Sequence, residues 1–202
     1  AFEKKGDTYE ITIDGKPFAI YAWNDPQTTR PYFKSVYAAG GEIQLTRNHP
    51  PQEGDMQDHA TFHPGIWWGF GDIGGNDYWR MKARIIGGDF IQPPKGDKDS
   101  GQFTVKDKLL VNGTNEVFCE QISRFTIMQR PAGILMVCDT TLRREQSDFW
   151  LGDQEEMGLG IRTATPIATV SKKGGRILNR EGMTDLKEIR TNQSDWCDYG
   201  GP

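Results

Sequence analysis

The dipeptide Asn112-Gly113 lies between two long segments in which apolar and polar residues alternate, residues 102–111 and 114–129. Alternation with a period of two is typical of β-strands, and Asn-Gly is a strong signal for a tight hairpin turn. Asp14-Gly15 gives the same signal near the start of the chain. The chain is therefore expected to form antiparallel sheets from neighbouring strands.

Turn residues divide the rest of the chain into short pieces. Further strands are expected at residues 31–37, 42–47, 78–86, 134–143, 149–151, 155–163, 167–171 and 176–179. Gly87-Gly88 should end one of them, residues 93–101 should form a solvated loop, and the only helical turn is expected at residues 185–190. Regular short strands with hardly any helix predict an all-β fold, an antiparallel sandwich or barrel. No repeat or linker divides the chain, which predicts a single domain over residues 1–202.

Charge and hydropathy restrict the class of partner. The formal net charge is −4 and no basic run is present, so no nucleic-acid partner is expected. No segment approaches the ~18–20 apolar residues that cross a bilayer, so no membrane insertion is expected. The chain starts at Ala1 rather than at Met, as it would after removal of a signal peptide. A secreted or periplasmic location is therefore expected.

All three histidines lie within residues 46–79. His49 and His63 both precede proline and should therefore be extended rather than helical. This excludes a continuous helix that would place His59 and His63 on one face. The segment is expected to be an irregular loop, and loops of this kind often carry function.

Three interpretations of the histidines remain open. His49, His59 and His63 are sufficient to hold one divalent metal ion such as Zn, Cu or Fe, with Asp55 and Asp58 nearby as further ligands. The same imidazoles are suited to contacting a polar substrate or to general acid–base catalysis. They are equally compatible with hydrogen bonds that only stabilise the loop.

The expected strand at residues 155–163 has two different faces. On one face, Gly158 and Gly160 separate Glu156 from Arg162, which predicts an open trough between a carboxylate and a guanidinium. A surface Glu–Arg pair is the alternative. The opposite face is expected to be the core face and carries Met157, Leu159 and Ile161.

Aromatic residues are concentrated near the histidines. Trp67 and Trp68 are adjacent, so in a strand one of them must be exposed or line a cavity. Aromatic rings beside carboxylates and amides are a common way of holding sugar rings. The expected sugar contacts are His49, Trp67, Trp68, Asp72, Trp79, Arg162 and Trp196.

Residues 46–51, 58–79 and 152–162, with Asp195-Trp196-Cys197-Asp198-Tyr199, resemble a bacterial family of unknown function. That family is often labelled "methane oxygenase A subunit", although the methane-oxidising subunit is built from transmembrane helices. Members of the family continue for several dozen residues past the last block. The resemblance therefore implies that this chain lacks closing strands at its C-terminus.

A second resemblance concerns His63-Pro64-Gly65 with Gly69-Phe70 and Trp79. Their layout is similar to the His-Gly-Gly…Gly-Phe…Trp block of galactose-mutarotase-like β-supersandwich proteins, with Pro64 in place of the first glycine. The resemblance implies a β-sandwich of that type. It also implies that His63 contacts the sugar and that Glu156, or Glu155, is the base.

The first functional hypothesis is a secreted carbohydrate-active protein that binds a sugar or glycoside and performs epimerisation, elimination or hydrolysis. His63, Glu156 and His59 would be catalytic, and Arg162 would orient the substrate or stabilise developing negative charge. The second hypothesis is a metalloenzyme that uses the three histidines. The third is a carbohydrate-binding module without catalysis.

Overall fold

The computed structural model describes residues 1–202. In chain order its strands are β1 (Phe2–Lys5), β2 (Thr8–Ile13), β3 (Lys16–Ala22), β4 (Tyr32–Lys34), β5 (Ile66–Phe70), β6 (Ile85–Gly96), β7 (Ser100–Leu110), β8 (Val117–Arg130), β9 (Gly133–Arg143), β10 (Met157–Ile161), β11 (Arg176–Asn179) and β12 (Cys197–Gly200). A 3-10 helix, Thr169–Ser171, follows β10, and the α-helix α1 (Leu186–Arg190) follows β11. Neither helix has the length and apolar sequence that a membrane crossing demands.

The strands form three sheets. The largest has the order β1-β2-β3-β4-β5-β10, the second has the order β6-β7-β8-β9, and β11 pairs with β12. Every pairing is antiparallel. The expected all-β antiparallel sandwich is confirmed.

The hairpins form where the turn residues predict them. Asp14 and Gly15 have φ values of 50° and 74°, and Gly113 has a φ of 72°, the left-handed backbone that tight turns require. The expected helical turn at residues 185–190 also forms, whereas the strand expected at residues 167–171 is replaced by the 3-10 helix. The carboxylate of Asp185 caps α1 by accepting a hydrogen bond of 2.7 Å from the Lys187 amide.

The main core lies between the six-stranded and the four-stranded sheet. Tyr21 of β3 packs 5.0 Å from Phe103 of β7, and Phe33 of β4 packs 4.9 Å from Phe125 of β8, measured between ring centroids. Because side chains alternate along a strand, the neighbouring residue Tyr32 points away from the second sheet. We call that side of the six-stranded sheet the outer face.

The region after β5 differs from the sequence-based expectation. Residues 78–82 form turns rather than a strand, and β6 begins at Ile85 and continues through Gly87 and Gly88. The two glycines do not break the strand. They let it approach Trp23, since a Cβ at Gly88 would overlap the Trp23 indole. The expected solvated loop at residues 93–101 is instead the end of β6 and the start of β7.

The two faces of β10 point as expected, but the core-side face is not buried. Met157, Leu159 and Ile161 lie on the side of the main core but are 40 %, 53 % and 55 % exposed, because β10 is a sheet edge that the four-stranded sheet does not cover. The glycine face is not an open trough along its whole length. Trp67 fills it at Gly160, where a Cβ would overlap the indole, while the space at Gly158 is open.

Candidate functional site

The loop between β4 and β5 covers the outer face and carries all three histidines. Trp67 of β5 is buried there with Tyr32, in a cluster separate from the main core. The His63 ring stacks on Trp67 with a centroid separation of 4.8 Å, and the His49 ring packs edge-on against Tyr32 at 5.1 Å. The outer face of the sheet is therefore the floor of the site.

Arg47 fixes the backbone of the histidine loop through hydrogen bonds. Its side chain is almost fully buried and donates four hydrogen bonds to backbone carbonyls, from Nη1 to Met56 (2.8 Å) and Asp58 (2.6 Å) and from Nη2 to His59 (3.2 Å) and His63 (3.1 Å). A buried guanidinium must find acceptors for its fixed fork of donors. The loop wraps around that fork, and its backbone is fixed as a result.

A second buried arginine, Arg30, has the same function on the other side of the loop. It donates to the carbonyl oxygens of Tyr78 (2.8 Å), Trp79 and Phe62, and its guanidinium lies 5.2 Å from the Trp67 ring centroid. Burial lowers the pKa of Arg30. The loop between β4 and β5 is thereby tied to the turns that follow β5.

His63 is a neutral imidazole within a stack of rings. It lies between His59, at 4.6 Å and 29°, and Trp67, at 4.8 Å and 24°. Burial, and then the nearby charges of His59 and Arg162, lower the pKa of His63 to about 3. His63 therefore has no acidic proton to give as an imidazolium at neutral pH.

His59 is the exposed histidine and is oriented by its neighbour Asp58. Its Nδ1 lies 3.1 Å from Oδ2 of Asp58, and 49 % of its side chain is exposed. A carboxylate can only accept hydrogen bonds, so Nδ1 carries the proton and Nε2 is left as the acceptor. The φ of His59 is +50°, which presents the ring on a tight turn.

Arg162, the residue after β10, completes this group. Its guanidinium pairs with Oδ1 of Asp58, and its amide donates to the Gly65 carbonyl (2.6 Å). Partial burial raises the pKa of Asp58, but the Arg162 cation and the hydrogen bond from His59 together hold that pKa below its usual value. Asp58 thus stays ionised between a cation and an imidazole.

Beside Arg162 lies a solvent-open groove of about 160 Å³. Its far wall is Tyr199 of β12, and its lining residues are Ile161, Arg162, Thr163, Ala168, Thr169, Val170, Leu186 and Tyr199. The lining combines the polar groups of Arg162, Thr163 and Thr169 with apolar side chains. This arrangement suits a molecule with both hydroxyl groups and apolar C–H faces.

The three histidines do not meet as ligands of one metal ion. His49 lies apart, with Nε2 2.9 Å from Oγ1 of Thr28, which donates its proton to the Thr61 carbonyl. His59 and His63 present ring faces to each other rather than converging lone pairs. No group of three or more histidine, cysteine, aspartate or glutamate side chains is arranged to hold a metal.

His49 is held within the loop rather than presented to a ligand. Because the Thr28 hydroxyl donates to the Thr61 carbonyl, it accepts from Nε2–H of His49, which leaves Nδ1 unprotonated. That nitrogen is buried without a partner, and burial lowers the pKa of His49 to about 4. With Nε2 bound to Thr28 and Nδ1 buried, His49 is not placed to make the expected sugar contact.

Glu156 is not beside His63, contrary to the mutarotase-based expectation. It precedes β10 while Arg162 follows it, a separation of about 20 Å at ~3.3 Å per residue. Its carboxylate pairs with Arg80 at 2.5 Å, and Arg80 also binds Asp77. Glu155 pairs with Arg190. The two glutamates therefore form ion pairs away from the histidines.

The other expected sugar contacts are dispersed. Trp79 is near the histidines, 5.9 Å from His63 and 5.2 Å from Trp67. Trp68 points to the opposite side of β5 and packs on Phe70 at 5.3 Å. Asp72 stabilises a turn by accepting from the Gly75 amide at 2.7 Å, and Trp196 is half exposed at the start of β12.

The site expected from the sequence lacks Arg47 and Tyr199 and gives Asp58 a different role. Asp58 was considered only as a metal ligand, although a carboxylate directly before a histidine in a proline-bounded loop is itself a signal of an oriented imidazole. Tyr199 belonged to the aromatic residues noted near the C-terminus but was not assigned to the site. Nothing in the sequence marks Arg47 as a residue that organises the loop, because it falls at the end of the strand expected at residues 42–47.

Comparison with known proteins then places the chain in a family. A family of unknown function, DUF6807, matches residues 8–202. The chain belongs to the DUF6807 family. This agrees with the expected membership of a family of unknown function. No curated protein and no solved structure matches this DUF6807 chain.

Proposed function

We propose that this DUF6807 protein is a secreted or periplasmic carbohydrate-active enzyme that binds a sugar or glycoside along the groove beside Arg162. The Asp58–His59 pair is the general base for proton transfer at a sugar carbon or oxygen, in an epimerase, lyase or hydrolase reaction. The observation that carries the proposal is the 3.1 Å contact between Asp58 and His59 Nδ1, which leaves Nε2 as an acceptor on a half-exposed ring.

The electrostatics of the site support this assignment of roles. Imidazole is the side chain most often used for proton transfer near neutral pH, and a carboxylate behind Nδ1 fixes the tautomer and stabilises the imidazolium that forms. Arg162 is next to this pair and is positioned to hold a substrate oxygen on which negative charge develops. His63 remains neutral and supports the His59 ring by stacking.

The groove supports a sugar as the ligand. Tyr199 offers a ring that is 43 % exposed, and Arg162 and the Thr163 and Thr169 side chains provide polar contacts. The resemblance of the His63 block to galactose-mutarotase-like proteins points to the same ligand class. In this proposal the base is His59 rather than the Glu156 that the resemblance suggested.

A panel of reducing sugars and glycosides tests the proposal, with product formation followed by NMR. His59→Gln and Asp58→Asn are expected to lower kcat by about 10²–10⁴-fold, because each removes part of the base. Asp139→Asn is the matched control, since this exposed carboxylate of β9 pairs with Arg124 of β8, away from the histidine loop. Full turnover by folded His59→Gln protein would refute the assignment.

A second candidate function is a carbohydrate-binding module without catalysis. The partly exposed Tyr199 ring in a groove open to solvent favours it, since such surfaces hold sugars without excluding water. In that case Tyr199→Ala would weaken sugar binding while no sugar is converted. Binding with turnover that depends on His59 would reject the module.

A further inference from the structure

Polar side chains interrupt the core between the two large sheets. Asp107 of β7 and its cross-strand neighbour Gln121 of β8 are 1 % and 4 % exposed, and Ser123 is 1 % exposed. They lie between the apolar cluster around Phe103 and the one around Leu109. This is the opposite side of β5 from the histidine loop.

The hydrogen bonds of this group are incomplete. Gln121 Nε2 donates to Ser123 Oγ at 3.0 Å, and Ser123 Oγ lies 3.2 Å from Thr140 Oγ1. Three buried oxygens have no partner, namely Oδ1 and Oδ2 of Asp107 and Oε1 of Gln121. Buried polar atoms are nearly always paired, so three unpaired acceptors at one place call for a donor from outside the chain.

These oxygens lie in a pocket that opens at the uncovered edge of the sandwich. Asp107 and Gln121 share it with the rings of Tyr21, Trp68 and Phe125, and with Leu159, which is 53 % exposed. Its interior has room for about one water-sized group. A sugar ring is therefore too large to reach Asp107.

The chain itself supplies no cation to this carboxylate. Lys106, the adjacent residue on β7, points to the other face of the strand and pairs with Asp89 and Glu120. Burial, and then the charge of Asp89, raise the pKa of Asp107 to about 8. A bound cation would reverse that effect by pairing with the ionised form.

We propose that this pocket binds the primary ammonium group of an aliphatic amine. An ammonium group has three N–H donors, which match the two oxygens of Asp107 and the Oε1 of Gln121. The aromatic walls favour a cation, and the exposed Leu159 at the mouth accommodates the alkyl chain. An anion would be repelled, and a planar guanidinium is wider than the space available.

The test uses n-butylammonium as the probe and n-butanol as its neutral counterpart, with binding followed by NMR of the backbone amides and the Trp68 indole. The amine is expected to give saturable shifts on β7, β8 and Trp68, and n-butanol none. Asp107→Asn, which keeps the shape of the side chain, should weaken amine binding at least about tenfold. Asp139→Asn is the matched control for loss of one exposed carboxylate.

Two sources of the ammonium group are distinguished by a second probe, Nα-acetyl-lysine amide. Binding as tight as that of n-butylammonium would identify a lysine side chain of a polypeptide as the source, and weaker binding would identify a free amine. Equal shifts from n-butanol, or unchanged affinity in folded Asp107→Asn protein, would overturn the proposal. No saturable shift from either amine would also overturn it and leave a buried water as the occupant. None of these outcomes depends on the sugar site, which lies on the other face of β5.

Discussion

Arg47 has its charge almost fully buried, yet its hydrogen bonds go to backbone carbonyls and not to a carboxylate. Its nearest carboxylate oxygen, Oδ1 of Asp58, is 3.8 Å away and is already bound by Arg162. The guanidinium therefore shapes the loop rather than neutralising Asp58. Arg47 binds the backbone carbonyl of His59, so the position of the His59 ring depends on Arg47 although the two side chains do not interact.

Replacing Arg47 by Lys tests that role. The lysine ammonium keeps the charge but is a single point with three donors, so it cannot bind four carbonyls that approach a planar fork. The free energy of unfolding is expected to fall by about 2–4 kcal/mol, measured by chemical denaturation. Arg124→Lys, at an exposed ion pair, is the control and should change stability by less than about 0.5 kcal/mol. Equal effects of the two substitutions would contradict the role of Arg47.

The buried His63 predicts a dependence of stability on pH. Its pKa is about 3 in the folded protein, below the ordinary value of 6.5. Between these two pH values the folded state therefore binds fewer protons than the unfolded state. Its contribution is complete above about pH 6.5 and is lost as the pH falls towards 3. His63→Gln should reduce the loss of stability between about pH 6.5 and about pH 4. An unchanged pH profile in that variant would show that His63 is protonated without penalty.

Asp107 predicts the opposite slope. Its pKa is raised to about 8, so the folded state retains a proton that the unfolded state has lost above about pH 4. Stability from this residue is therefore greatest at low pH and decreases as the pH rises towards 8. Asp107→Asn should gain stability relative to the natural protein at pH 8 more than at pH 5, as measured by denaturation. A difference that does not vary with pH would contradict the raised pKa.

At the scale of single residues, the sequence predicted which side chains gather at the candidate site better than it predicted their partners. His59 and His63 of segment 46–79 do lie beside the Asp58–Arg162 pair. The histidine spacing could not reveal that His49 turns inward to Thr28, because that contact joins residues 21 positions apart. The contact between Asp58 and His59, by contrast, could be predicted because the two residues are adjacent in the sequence.

At the scale of elements, the position of β10 explains why its core-side face is exposed. Alternation along residues 157–161 identifies that face but does not state whether a second sheet covers it, and β10 is an uncovered edge strand. Strands that pair locally were predicted well, as in β7 with β8. The region after β5 was not, because Gly87-Gly88 is typical both of a break and of a close approach to Trp23.

Gly160 gives the test at this scale. A methyl group there would overlap the Trp67 indole, so Gly160→Ala must shift the ring that supports His63. We expect a loss of about 1–3 kcal/mol in the free energy of unfolding and a change in tryptophan fluorescence. Gly69→Ala on the paired strand is the matched control, because its Cβ would meet neighbours only at ordinary contact distances of 3.5 Å and more. Equal stability of both variants would show that Trp67 is not held against Gly160.

At the scale of the whole molecule, the six-stranded sheet separates two polar sites. The Asp58–His59–Arg162 group lies on its outer face over Trp67, and Asp107 lies on its inner side near Trp68. The adjacent tryptophans of β5 thus face different sites. Substitutions at such separated places usually have independent effects, so Asp107→Asn should leave sugar binding unchanged and His59→Gln should leave amine binding unchanged.

The most direct test of the central claim follows the imidazole nitrogens by long-range ¹H–¹⁵N NMR while sugars and glycosides are titrated. Because the chain has only three histidines, His49→Gln and His63→Gln variants suffice to assign the signals. We predict that His59 is protonated at Nδ1 and that its Nε2 shifts with a bound sugar. The signal of His49 should not move, and the response should be lost in Asp58→Asn. A sugar that binds without moving His59, or moves it equally in Asp58→Asn, would contradict the account.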